Sequence, residues 1–181
     1  MTLFHFDCPR AFSASECDRI IGLAAPFAME PGPVWGGAGY GVDERMRKVA
    51  ISFHGREGTA GWIVDRLDLL FGQAAEAFAL AVEPLSEPVQ IARYDVGCHF
   101  QTWHSDAGTD RHAARIVSAS VELTEESDYD GGLLEIVPSA MGGGRALPRG
   151  GARFFPSRAL HHVTPVTRGV RYALVAWAGA H

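Results

Sequence analysis

The chain has 181 residues, 47% of them hydrophobic and 20% charged, with a formal net charge of −5. That length supports one ordinary domain with its own core and no need of a metal or disulfide staple, so any metal is expected to be functional. The acidic balance and the absence of a dense Lys/Arg cluster argue against a phosphate-binding face and hence a nucleic-acid partner, and no apolar run is long enough to cross a bilayer.

The opening MTLFHFDCPRAF has neither a basic flank followed by an apolar stretch nor the look of an organelle presequence, so the expected location is cytoplasmic. Cys8, Cys17 and Cys98 are odd in number and widely spread, as reduced thiols would be. Residues 13–25 predict a first helix: Ser13 and Glu16 stand at capping-box spacing, and Cys17, Ile20, Ile21 and Ala24 share one face. The segment 31–41 (PGPVWGGAGYG) is too rich in Gly and Pro for regular structure and reads as a loop, a candidate lid carrying Trp35 and Tyr40. A short strand is expected over 48–53. A second, longer helix is expected over 60–80, where Ile63, Leu67, Leu70, Phe71, Ala74 and Phe78 recur at helical spacing.

From Val89 onward the pattern changes to short strand-like runs: VQIARY, CHFQTWH, ARIVSASVEL, GLLEIV, ARFF, LHHV and VRYALVAW, separated by turns. Such spacing predicts a sandwich or barrel, and a jelly roll satisfies both the number of strands and the need to protect their edges. The expected architecture is α+β but mainly β. Residues 1–88 form a mainly helical support region and 89–181 a jelly-roll core, all within a single domain. The run Gly142–Gly144 is too short to be a linker. The oligomeric state has no signature here.

Three features carry chemistry. In FQTWHSDAG, His104 and Asp106 lie two apart at a strand end, so both side chains can point to one ion. Taken alone, this spacing is weak evidence in a chain with eight histidines. In LHHV, a third ligand can come from a strand across the barrel. Two imidazoles and one carboxylate on one face of an octahedron leave open positions, as non-haem iron(II) requires. Arg171, ten residues beyond His161 at the start of the last strand, offers a fork for a carboxylate. A lone Arg at a strand end is more often solvated.

These pieces resemble the prolyl 4-hydroxylase-like branch of the 2-oxoglutarate- and iron(II)-dependent dioxygenases, over about residues 89–177. ARYDVGCHFQTWHSD is similar to that family's tyrosine, glycine and H-x-D segment. RIVSASVELTEESDYDGGLLEI is similar to its Arg-led strand and acidic-Gly-Gly turn, and FFPSRALHHVTPVTRGVRYALVAW to its terminal His-to-Arg block. The resemblance implies a double-stranded β-helix, with His104, Asp106 and His161 as ligands of Fe(II). It implies Arg171 as the partner of the distal carboxylate of 2-oxoglutarate and Tyr94 as a lining residue of the co-substrate pocket. O2 is then the oxidant, with ascorbate an optional reductant, and an unactivated carbon of a small-molecule or peptidyl substrate is hydroxylated with release of succinate and CO2. Halogenating relatives lack the carboxylate, so Asp106 favours hydroxylation.

Two departures stand out. Where many relatives have Glu after the distal His, this chain has His162, and His161 is preferred as ligand because it aligns with the LH-x-V pattern. Where the nucleic-acid demethylases carry a second Arg, this chain has Trp177, which argues against nucleic-acid repair. His54, His99, His112 and His181 fit no ligand spacing, and Gly131 and Gly132 read as turn residues with positive φ. Arg47 resembles an Arg at the family's active-site mouth, although its residue type favours surface exposure. The rival readings are a cupin-like protein holding zinc or nickel for sugar binding or isomerisation, for which Arg171 has no use, and a degenerate domain that only binds protein partners.

Overall fold

The computed structural model describes residues 4–24, 29–36, 39–108, 114–137 and 147–180. The helix expected over 13–25 is α1 (Ala14–Ala24), preceded by β1 (Phe6–Cys8). Its capping box is made: the Ser13 N–H donates to Glu16 Oε2 at 2.8 Å, and the Glu16 N–H donates back to Ser13 Oγ at 3.3 Å. There follow β2 (Glu30–Pro31), β3 (Val34–Gly36), β4 (Gly39–Gly41), β5 (Ala50–His54) and α2 (Gly61–Phe78). The remainder is β: β6 (Val89–Tyr94), β7 (Phe100–His104), β8 (Arg115–Glu122), β9 (Tyr129–Gly131), β10 (Leu134–Ile136), β11 (Ala152–Pro156), β12 (His161–Val163), β13 (Val166–Gly169) and β14 (Arg171–Gly179).

A seven-stranded antiparallel sheet runs in the order β1-β11-β8-β14-β6-β5-β2. Across from its inner face lies a three-stranded sheet, β10-β12-β7, and residues of both sheets line one cavity between them. This is the jelly roll expected from the strand count. The outer face of the large sheet is covered by the helices. Cys17 and Ile20 from α1 and Ile63, Leu67 and Phe71 from α2 pack against Val117, Val121, Phe154 and Leu174 of the sheet. The Phe71 and Phe154 rings meet edge-on at 5.1 Å. Each such fully buried apolar side chain contributes roughly 1.5–3 kcal/mol.

Three details differ from expectation. The N-terminal region is more than helical support, because β1, β2 and β5 complete the large sheet and β5 pairs directly with β6. The segment expected to lack regular structure forms a hairpin in which Trp35 is paired with Tyr40; glycine weakens a ladder without forbidding it. Gly37, Ala38, Gly142–Gly144, His112 and His181 lie outside the described residues. The last expected strand is preceded by a separate one, β13, which folds back on β9. Gly169, at φ +71, makes the break.

The acidic-Gly-Gly turn is explained by close approach. Gly131 and Gly132 have φ of +77 and +61, as expected. A Cβ on Gly131 would lie 2.1 Å from the Pro165 carbonyl oxygen, and one on Gly132 would lie 2.8 Å from Arg171 Cδ. The sheet ends are short: β1 is three residues locked by the bidentate Arg153–Asp7 pair, and β2 is two residues ending in Pro31.

Backbone strain supplies the stability test. α2 ends at Ala79 in the left-handed region, φ +54, where glycine carries no penalty. Ala79→Gly is expected to raise stability by about 1 kcal/mol, and Gly131→Ala to lower it by roughly 2–3 kcal/mol, both measured by urea unfolding with the slope unchanged.

Candidate active site

The ligand set is built by register. β12 pairs antiparallel with β7 so that His161 stands directly opposite His104, and β10 pairs with β12 so that Glu135 stands opposite His162. Neighbouring residues on a strand face opposite ways. His161 therefore faces the interior, 5% exposed, with Nε2 3.5 Å from Asp106 Oδ2. His162 faces out, its Nε2 2.6 Å from Glu135 Oε2 and its ring stacked on Trp103 at 4.0 Å. His104 Nε2 lies 3.9 Å from Asp106 Oδ1, and ligand atoms of the three residues fall within 4.8 Å of one another.

Both imidazoles are held in one tautomer. Nδ1 of His104 donates to the Thr102 carbonyl at 2.9 Å and Nδ1 of His161 to the Ala159 carbonyl at 3.0 Å, which leaves each Nε2 lone pair aimed at the cluster. Burial, with His161 close by, pushes His104 down to about 4, so it stands neutral at ordinary pH as a ligand must. Burial works to raise the Asp106 carboxyl, but His161, His104, the Ser118 hydroxyl and the Trp177 indole together hold it below the usual carboxylate range. A buried carboxylate facing two imidazoles whose Nε2 atoms turn toward it is a donor set for a divalent cation, and the facial His-His-Asp arrangement suits iron(II).

The turn carrying Asp106 is pinned from the far side of the barrel. The Ser118 hydroxyl on β8 donates to Asp106 Oδ2 at 2.7 Å and meets Ser157 Oγ at 2.9 Å. The Asp106 and Ala107 N–H groups both donate to the Ser157 carbonyl, as does the Ser105 hydroxyl. Phe100 stacks on His104 at 3.6 Å, and the Arg47 guanidinium lies over the other side of the arrangement, 4.9 Å from the Phe100 centroid.

The His-His-Asp cluster opens into a cavity of about 970 Å³ that also reaches Tyr94 and Arg171. Arg171 is 1% exposed, the opposite of the solvated residue its type alone would predict. Its Nε donates to Glu122 Oε2 at 3.0 Å and its Nη2 donates to Glu122 Oε1. The Tyr129 hydroxyl donates to the same carboxylate at 3.2 Å. Burial by itself would lower the Arg171 pKa; the Glu122 carboxylate raises it instead, so the guanidinium is charged. Tyr94 is buried, its ring 5.3 Å from Arg171 Cζ, and burial pushes its phenol up.

Arg47 is a cavity residue and not a surface one. It donates to the Pro33 carbonyl and to Gln90 Oε1, meets no carboxylate among the described residues, and keeps a buried Nε without a hydrogen-bond partner. The Trp177 indole N–H acts on Asp106 electrostatically yet falls outside hydrogen-bond geometry. His54 and His99 are buried away from the cluster, as their spacing suggested. Ser118, Ser157, Glu122 and Tyr129 escape a motif search. The signal for the first and third is the alternation V-S-A-S-V-E, in which every second residue of an otherwise apolar strand is polar.

No family model matches the chain. Over 104 residues it is 38% identical to a PKHD-type hydroxylase from Synechococcus sp., covering 55% of this chain and 46% of that protein. Over 96 residues it is 42% identical to one from Burkholderia lata, covering 50% and 42%. The chain spans about half the length of the curated relatives it matches. A prolyl-4-hydroxylase from Pseudomonas putida superposes with a TM-score of 0.76 at 19% identity, covering 98% of this chain and 92% of that one. A prolyl hydroxylase from Trichoplax adhaerens, in complex with a hypoxia inducible factor oxygen degradation domain peptide fragment, gives 0.75 at 18% identity, covering 97% and 83%. The resemblance to the prolyl 4-hydroxylase-like oxygenases thus holds in sequence over half of the chain and in fold over nearly all of it.

The register makes the two adjacent histidines separable. In calorimetric titration with Mn(II), His161→Ala is expected to abolish tight binding and His162→Ala to leave it within about twofold. Ser118→Ala, which frees the Asp106 carboxylate, is expected to weaken it roughly 10–100-fold.

Proposed function

We propose that this chain is an Fe(II)- and 2-oxoglutarate-dependent oxygenase that hydroxylates an unactivated carbon of an amino acid, peptide or protein side chain. One observation carries the reading: a buried His-His-Asp face and a buried guanidinium open into the same cavity. His104, Asp106 and His161 would hold the iron, and Arg171 would receive the distal carboxylate of the co-substrate beside Tyr94. With both bound, iron and 2-oxoglutarate supply the reducing equivalents that activate O2, the keto acid leaving as succinate and CO2.

The rest is the protein's own work. The Thr102 and Ala159 carbonyls fix which imidazole nitrogen faces the metal, and Ser118 orients Asp106. The apolar walls at Phe100, Leu134, Val163 and Phe155 keep water from the reacting centre. Tyr40 and Phe53, both exposed, line the open side, where an amino-acid or short peptidyl substrate would enter. The β3–β4 hairpin supplies Val34 and Tyr40 to that wall, and we assign it the role of cover. Trp177 occupies the cavity where the demethylases place a second arginine, which supports a substrate other than nucleic acid. Among the described residues no helix is long and apolar enough to cross a membrane, and three free thiols suit a reducing compartment such as the cytoplasm.

The cupin-like reading keeps one observation in its favour: Arg171 is already matched by Glu122 and needs no ligand for its charge. Anaerobic titration with Fe(II) and 2-oxoglutarate separates the two. The oxygenase gives the weak visible charge-transfer band of a chelated keto acid, and Arg171→Ala needs at least about tenfold more co-substrate to reach it. No band, with zinc bound tightly instead, would overturn the assignment.

A further inference from the structure

Arg171 stands between two environments. On one side it lines the large cavity; on the other, Glu122 and Tyr129 line a small void that shares Ser120 and Leu134 with the cavity wall. Its Nε and Nη2 are committed to Glu122, and Tyr129 is a further polar neighbour of the guanidinium. One edge of the guanidinium that fits a carboxylate is therefore already occupied, and the N–H groups left for a ligand are at the Nη end. Glu122 is 7% exposed, so its charge is screened by little water.

We propose that Glu122 is a specificity-determining residue that weakens the hold of Arg171 on a dicarboxylic 2-oxo acid. The proposal rests on the oxygenase reading above and deepens it. A distal carboxylate arriving at the Nη end meets a guanidinium whose charge is already matched, with a second buried carboxylate a few bonds behind it. Like charges in a site with little solvent repel strongly. The same Glu122 has no effect on a 2-oxo acid that lacks the distal carboxylate, since such a ligand reaches the metal cluster without needing Arg171. Glu122 thus narrows the preference for a dicarboxylate over a monocarboxylate, and its own bond to Tyr129 keeps it in place. Gly132 shares in this: with no side chain, it leaves room for Arg171 Cδ to pass toward Glu122.

The test uses the anaerobic Fe(II) protein and two probes of equal chain length, 2-oxoglutarate and 2-oxopentanoate, each titrated by the charge-transfer band in wild type and Glu122→Gln. The expected result is at least a tenfold tighter Kd for 2-oxoglutarate in Glu122→Gln, with the Kd for 2-oxopentanoate changed less than twofold. Weaker 2-oxoglutarate binding in the variant, or an unchanged ratio of the two constants, overturns the proposal and leaves the oxygenase reading standing. No band with either acid in wild type overturns both. Removing a buried partner of Arg171 can cost folding, so Glu122→Met and a thermal readout stand beside the first variant. Each charge-removed protein is expected to start from a lower melting temperature and to gain more degrees than wild type at the same 2-oxoglutarate concentration, because the ligand replaces the missing carboxylate. An equal or smaller gain counts against the proposal.

Discussion

The pairing of His161 with His104 across two short antiparallel strands sets the position of everything else in the cavity, because the period of a strand is two and a slip of one residue would exchange its faces. A slipped β12 would bury His162 and Glu135's partner position while turning His161 to solvent. The outer face guards against that slip: His162 is held by Glu135 and stacked on Trp103. Inner and outer contacts therefore specify the same register. Neither strand exceeds five residues, so side-chain partners must supply specificity that a long ladder would otherwise give.

β8 is the second frame. Val117, Ala119 and Val121 face the helices, while Ser118, Ser120 and Glu122 face the interior between the sheets. Buried polar groups are costly unless bonded. Here Ser118 holds the Asp106 carboxylate and Glu122 holds the guanidinium, about a strand's half-length apart on one rigid element. The spacing between the carboxylate of the His-His-Asp cluster and the guanidinium is thus written into a single strand, whose neighbours β11 and β14 fix it on both sides. This arrangement pre-organises the site before any ligand arrives.

What could be read from the sequence follows from how local each signal is. Ser13 and Glu16 announce α1 because a capping box needs only four consecutive residues, and the apolar face of α2 repeats over five turns. His104, Asp106, His161 and Arg171 were legible through their order and spacing, and the structure brings them to one cavity. Glu122 was not, because a polar residue every second position ordinarily marks a solvent face, and only a sheet covered on both sides makes it an interior one. β9 and β13 were read as turn because Asp130, Gly131 and Gly169 are turn residues by type; their pairing is set by contacts far apart in sequence. The Arg47 side chain was expected in solvent, and its place in the cavity depends on Pro33, Gln90 and Phe100, from three separate segments.

The short terminal strands of the large sheet have a consequence of another kind. At one border β1 offers only three residues, pinned by Arg153 to Asp7; at the other β2 offers two, the second a proline with no N–H to give. Where these short strands lie, they offer another extended chain little backbone template on which to grow. Beyond those two residues of β2 the border changes character: exposed Phe53 lies on the part of β5 that no described strand covers on its outer side, so there an apolar side chain and an open ladder stand together, and that stretch of β5 is where another extended chain would add.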